Sequence, residues 1–120
     1  MAADETAVFR PAIREIQEAG SGWCVSFIDE EDEGMWVQVS EDLLNFAYPY
    51  DQEPKKVLAD RNLKGLEGLE TVAWEAGKFA ALRLTDLREY SMAHAVDEIF
   101  AYLLYRPPGF KITVEVFKAA

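Results

Sequence analysis

Five consecutive acids, Asp29, Glu30, Glu31, Asp32 and Glu33, form the densest run of ionisable side chains in the sequence. Adjacent carboxylates must be solvated or meet cations, so their chemistry is either that of a wet loop or contact with a basic partner. The run lacks the alternating ligand spacing of a calcium-binding EF-hand loop, and no metal is expected there. The single histidine, His94, precedes Asp97 by three residues and Glu98 by four. Helical spacing brings all three to one side, but a transition-metal site usually needs two His, or His with Cys, so His94 is read as a surface histidine paired with Glu98. Nucleophilic catalysis would require the lone Cys24 to meet His94. Cys24 lies in the apolar run 23–28 with no helix N-terminus after it to activate the thiol, and is expected to be a small buried hydrophobe. Gly65-Leu66-Glu67-Gly68 lacks the lysine of a phosphate-binding loop. No catalytic residue, cofactor or metal ligand is assigned, and the chain is read as a non-enzyme.

Composition bounds the remaining classes. The 120 residues suit one domain, and with half of them hydrophobic the chain can bury enough apolar surface to fold alone. The net charge of −10 is uneven: residues 1–60 carry 14 acids and 4 bases, whereas residues 61–120 carry 8 of each. Such a balance disfavours nucleic acid and is compatible with a basic protein partner or simply with solubility. No stretch is long and apolar enough for a membrane helix, and the acidic start is unlike a secretory signal, so a cytoplasmic location without membrane association is expected. Residues 1–7 are expected to be flexible.

The elements follow from periodicity. Phe9, Ile13 and Ile16 share one side of a helix over residues 8–19, which Gly20-Ser21-Gly22 stops. Alternation over 23–28 and 35–39 predicts a β-hairpin with the acidic run as its tip. Residues 43–50 read as a third strand ending at Pro49, and 53–63 as a short helix broken by Gly65 and Gly68. A second hairpin pairs 70–75 with 79–84. A long helix then spans 86–105, opened by an Asp86/Glu89 capping box and closed by Pro107-Pro108-Gly109. Alternating Ile112, Val114 and Val116 make the last strand. The order α-β-β-(β)-α-β-β-α-β predicts an α+β fold, an antiparallel sheet of five to six strands with helices packed on it.

On the long helix Met92, Ala93, Val96, Ile99, Phe100 and Leu103 form the core face. The opposite side carries Leu87, Tyr90, His94, Ala101 and Tyr105, too apolar for a face turned only to water. Either the last strand or the first helix covers it, or it meets a partner or a second subunit. Trp36, Tyr48 and Tyr50 join these as candidate anchors, since Trp and Tyr bury much area at little entropic cost.

The element order, small size, acidic balance and the strand Met35-Trp36-Val37-Gln38-Val39 resemble the bacterial type III secretion chaperones and the related YbjN-like peptide-binding chaperones. The resemblance spans residues 8–105, and the strand after Pro107-Pro108 departs from it. It implies a sheet flanked by helices, a homodimer formed through a helix or strand, and binding of extended client segments. The expected function is therefore a chaperone-like protein- or peptide-binding module. The alternative is an acidic immunity or inhibitor protein that meets a basic toxin through residues 29–33 with Glu41 and Asp42.

Overall fold

Two glycines end the first helix and aim the chain into the sheet. Gly20 and Gly22 have φ of 100° and 89°, a region open to glycine at little steric cost. The helix they terminate, α1 (Arg10–Ala19), buries Ala12, Ile13 and Ile16 and carries Phe9 at its start. The computed structural model describes residues 5–119. Of the stretch expected to be flexible, residues 1–4 lie outside the described residues, while Glu5–Val8 form a turn of 3-10 helix.

Six strands follow: β1 (Trp23–Asp29), β2 (Asp32–Ser40), β3 (Leu43–Ala47), β4 (Glu70–Glu75), β5 (Phe79–Arg83) and β6 (Ile112–Lys118). They form one sheet in the order β4-β5-β3-β2-β1-β6, with every neighbouring pair antiparallel. Helices α2 (Pro54–Asp60), α3 (Lys64–Glu67) and α4 (Glu89–Glu98) complete the fold. The fold class is thus the α+β arrangement expected, and the third strand expected over 43–50 is present over Leu43–Ala47. Among the described residues no helix is long and apolar enough to cross a membrane.

Strand alternation sorts the side chains. Val25 and Phe27, Val37 and Val39, Leu44 and Phe46, and Ala80 and Leu82 share one face and are all fully buried. They join the core cluster of α1, α2, α3 and α4 residues. Phe9 ties the layers together: its ring lies edge-on to Phe27 at 5.0 Å and stacks on Phe100 at 5.9 Å, and Phe100 meets Phe110 at 4.9 Å.

The long helix differs from expectation at both ends. It begins at Glu89, and the capping box is not formed. Asp86 accepts the Arg88 backbone N–H, the Arg88 guanidinium and the Ser91 hydroxyl, while Glu89 faces α1. Two arginines on another helix outcompete a local backbone N–H for that carboxylate. At the other end α4 passes into a π-helical turn, Ile99–Leu103, and Tyr105 takes φ of 54° where helices usually end in glycine. The π turn leaves Ile99, Phe100, Leu103 and Leu104 all buried, so the expected core face holds through it.

Phe9→Ala should lower unfolding free energy by about 4 kcal/mol in urea, since a large core ring leaves a cavity. Tyr90→Ala, at a 54% exposed position, should cost no more than about 0.5 kcal/mol in the same assay.

Candidate functional site

The acidic run does not form a five-residue loop. β1 extends through Asp29 and β2 begins at Asp32, leaving Glu30 and Glu31 as the turn. Asp29 is 3% exposed. Its Oδ2 meets Arg106 Nη1 at 3.0 Å and its Oδ1 accepts the Glu31 backbone N–H at 2.8 Å. Asp29 is therefore a structural ion pair and not a contact residue for a partner. A buried carboxylate must be paired, and its partner comes from a residue 77 positions away, beyond the reach of a local reading. Glu30, Glu31, Asp32 and Glu33 are exposed.

The aromatic candidates divide in the same way. Tyr48 is 1% exposed, and its hydroxyl donates to the Gln52 carbonyl, so it is a core residue rather than an anchor. Burial, with Tyr50 and Glu53 nearby, pushes its hydroxyl up to about 12. Tyr50 is half-buried, with its hydroxyl 2.5 Å from the Leu103 carbonyl. Arg61 lies 5.3 Å from its ring centroid and 4.9 Å from that of Tyr105. Leu87, Tyr90, His94 and Tyr105 are exposed, so neither β6 nor α1 covers this stripe. Ala101 is half-buried. Tyr90 stacks on His94 at 6.2 Å, and the Arg10 guanidinium lies over the Tyr90 ring, 5.7 Å from its centroid. His94 Nε2 lies 3.3 Å from Glu98 Oε1, the pairing expected from their spacing. Burial raises the Glu98 carboxyl above its ordinary value, although His94 pulls the other way. Among the described residues no group of three or more His, Cys, Asp and Glu side chains is placed to hold a metal ion.

Sequence reading did not identify the sheet's second face. Alternation places Cys24, Ser26 and Ile28 there from β1, Trp36, Gln38 and Ser40 from β2, Leu43 and Asn45 from β3, and Phe79 and Ala81 from β5. Trp36, half-buried, also packs against the core cluster, but Cys24, Ile28, Leu43, Phe79 and Ala81 do not belong to it. None of these ten positions is charged, in a chain with 28% charged residues, although the same registers bring Arg83 opposite Leu43, Glu115 opposite Ser26, and Glu70 and Glu75 of β4 to the border of this patch. The open face of an antiparallel sheet ordinarily carries polar and charged side chains, whereas depletion of charge marks the centre of a protein interface. The Asn45 Oδ1 is buried within this face and has no hydrogen-bond partner among the described residues.

Beside this face runs an unpaired edge. Glu30 donates to the Lys111 carbonyl at 3.0 Å and Ala119 to that of Gly22 at 2.7 Å. In the β1–β6 register these bonds fall on the odd-numbered residues of β6. The backbone N–H and C=O groups of Ile112, Val114 and Val116 consequently point away from β1. The β6 pairing is regular throughout, whereas the opposite edge, β4, carries a bulge between Thr71 and Ala73.

On the other side of the sheet an ion cluster joins α1 to α4. Glu89 receives Arg14 Nε at 2.6 Å and Arg10 Nε at 3.0 Å. The hydrogen bond from Arg14, with that from Arg10, holds its carboxyl down at about 2 despite the cost of burial. A carboxyl depressed on folding stabilises above its unfolded value and loses that contribution as pH falls through its folded value. Wild type should therefore exceed Glu89→Gln in urea midpoint at pH 6, with the gap closing between pH 4.5 and about 2. Arg106→Met, which strands Asp29, should cost about 2 kcal/mol in urea, against no more than about 0.5 for Glu30→Ala.

No protein-family model, curated protein or solved structure matches the chain.

Proposed function

We propose that the protein is a non-enzymatic, chaperone-like module that binds extended segments of other polypeptides on the open face of its sheet. The observation that carries this reading is the uncharged patch of ten positions on that face, bordered by Arg83, Glu70, Glu75 and Glu115, in a molecule of net charge −10. A polypeptide is the occupant that suits both features found there. Its apolar side chains match Ile28, Leu43 and Phe79, and its amide groups match Gln38 and the unpartnered Asn45 carbonyl. Its main chain can also pair with the outward groups of β6. The resemblance drawn from the element order points to the same activity.

A second reading is favoured by a different observation. Glu30, Glu31, Asp32 and Glu33 stand exposed at one end of the sheet, as an acidic inhibitor of a basic toxin would require. With Asp29 committed to Arg106, and Glu41 and Asp42 beyond the far end of β2 from the tip, the contact would rest on these four.

Ser26→Lys with Asn45→Lys places two charges in the middle of the open face without touching the core. Aggregation of reduced α-lactalbumin, followed by light scattering, should be slowed by wild type. The double variant, once shown to fold, should need about tenfold more protein for the same effect. Glu31→Lys with Glu33→Lys should act like wild type. Equal activity of the face variant, or no effect of wild type, would remove the open-face reading. Loss confined to the tip variant would move the function to the acids.

A further inference from the structure

We infer that the cleft between the end of α1 and the β2–β3 turn, on the helix side of the sheet, receives a lysine or arginine side chain of a polypeptide partner. The cleft encloses about 620 Å³, within the range of small-ligand sites. Ile16, Trp23 and Leu87 supply apolar wall, Gln17 lies between them, and Glu41 and Asp42 bring carboxylates. Gln17 Nε2 donates to the Leu87 carbonyl at 2.7 Å, which ties the segment before α4 to α1 at the cleft.

The two carboxylates are not equivalent. Asp42 is neutralised by Arg83, 3.0 Å away. Glu41 accepts only the Gly22 backbone N–H, at 3.3 Å, and forms no ion pair among the described residues. Lys118, whose side chain passes Gly22, does not pair with it. An apolar passage with one uncompensated negative charge and a half-buried indole fits a cation carried on an aliphatic stem. The stem covers Ile16 and Leu87, and the head meets Glu41 and the ring of Trp23. The occupant rests on the protein-binding reading above; a basic segment is the polypeptide that a molecule of net charge −10 attracts.

Glu41 also offers a control that separates binding from folding. Its φ of 52° lies in the left-handed region that glycine tolerates better than glutamate, so Glu41→Gly should fold with an equal or higher urea midpoint.

The test uses ¹H–¹⁵N spectra of the full chain, titrated with Nα-acetyl-arginine methylamide and with its uncharged citrulline counterpart. The expected result is a saturable shift of the Trp23 indole and Gly22 amide signals, with the arginine probe binding about tenfold tighter than citrulline. Glu41→Gln should weaken that binding about tenfold, and Glu41→Gly should abolish the preference for arginine while remaining folded. Equal binding of citrulline, an unaltered Glu41→Gln titration, or shifts that spread without saturation over the Glu30–Glu33 amides would each overturn the site. Tighter binding of spermidine than of the arginine probe would overturn its assignment to a polypeptide side chain. The Ser26→Lys, Asn45→Lys variant should still bind the probe here, so failure of the open-face reading leaves a different signature from failure of the cleft.

Discussion

The contact on which the architecture depends is that of one ring, Phe9, with two others. It stands against Phe27 in the sheet and Phe100 in the turn after α4, and Phe100 in turn holds Phe110 on the approach to β6. Four segments far apart in sequence are thereby fixed to one side of the sheet. Aromatic side chains bury more area than any others, so packing energy is concentrated where these rings meet. Helices α1 and α4 must then lie close enough for Arg10 and Arg14 to share Glu89. The other face is left without a helix.

The charges follow this division. Of the 12 bases, Arg10 and Arg14 serve Glu89, Arg83 serves Asp42, Arg88 serves Asp86 and Arg106 serves Asp29. Structure thus consumes many of the cations. Acids outnumber bases by 22 to 12, and among the described residues Glu41, Glu30, Glu31, Asp32 and Glu33 are left without an ion-pair partner. The exposed pairs add little to stability, because water screens them and ordering two long side chains costs entropy. The Asp29–Arg106 pair is different in kind, since losing Arg106 would leave the buried Asp29 charge out of water.

Most of the fold was legible because alternation and helical spacing are local signals. Val25, Phe27, Val37 and Val39 alternate as a hairpin must, and Met92, Val96, Ile99 and Leu103 recur as a buried helix face does. Tertiary competition was not legible. Glu89 satisfies the capping-box spacing yet turns to α1, and Asp29 belongs to an acidic run yet turns inward to Arg106. The candidate site suffered most. A strand's two faces can be separated from sequence, but which one the helices cover depends on packing between distant segments. Ile28, Leu43 and Phe79 consequently drew no attention, while Tyr48, chosen for its type, is core. The histidine was read correctly from its i,i+4 partner.

The two edges of the sheet are unlike, and this sets how the molecule can grow. β4 is interrupted by its bulge and flanked by Glu70 and Glu75, whereas β6 offers a straight run of free main-chain groups. A strand that can be extended from only one side cannot propagate. A segment docked along β6 would cap the regular edge among the described strands, and the bulged β4 edge would offer no equal run, so such an assembly would stop at a pair. A sheet with two straight edges would instead have the head-to-tail geometry from which open filaments are built.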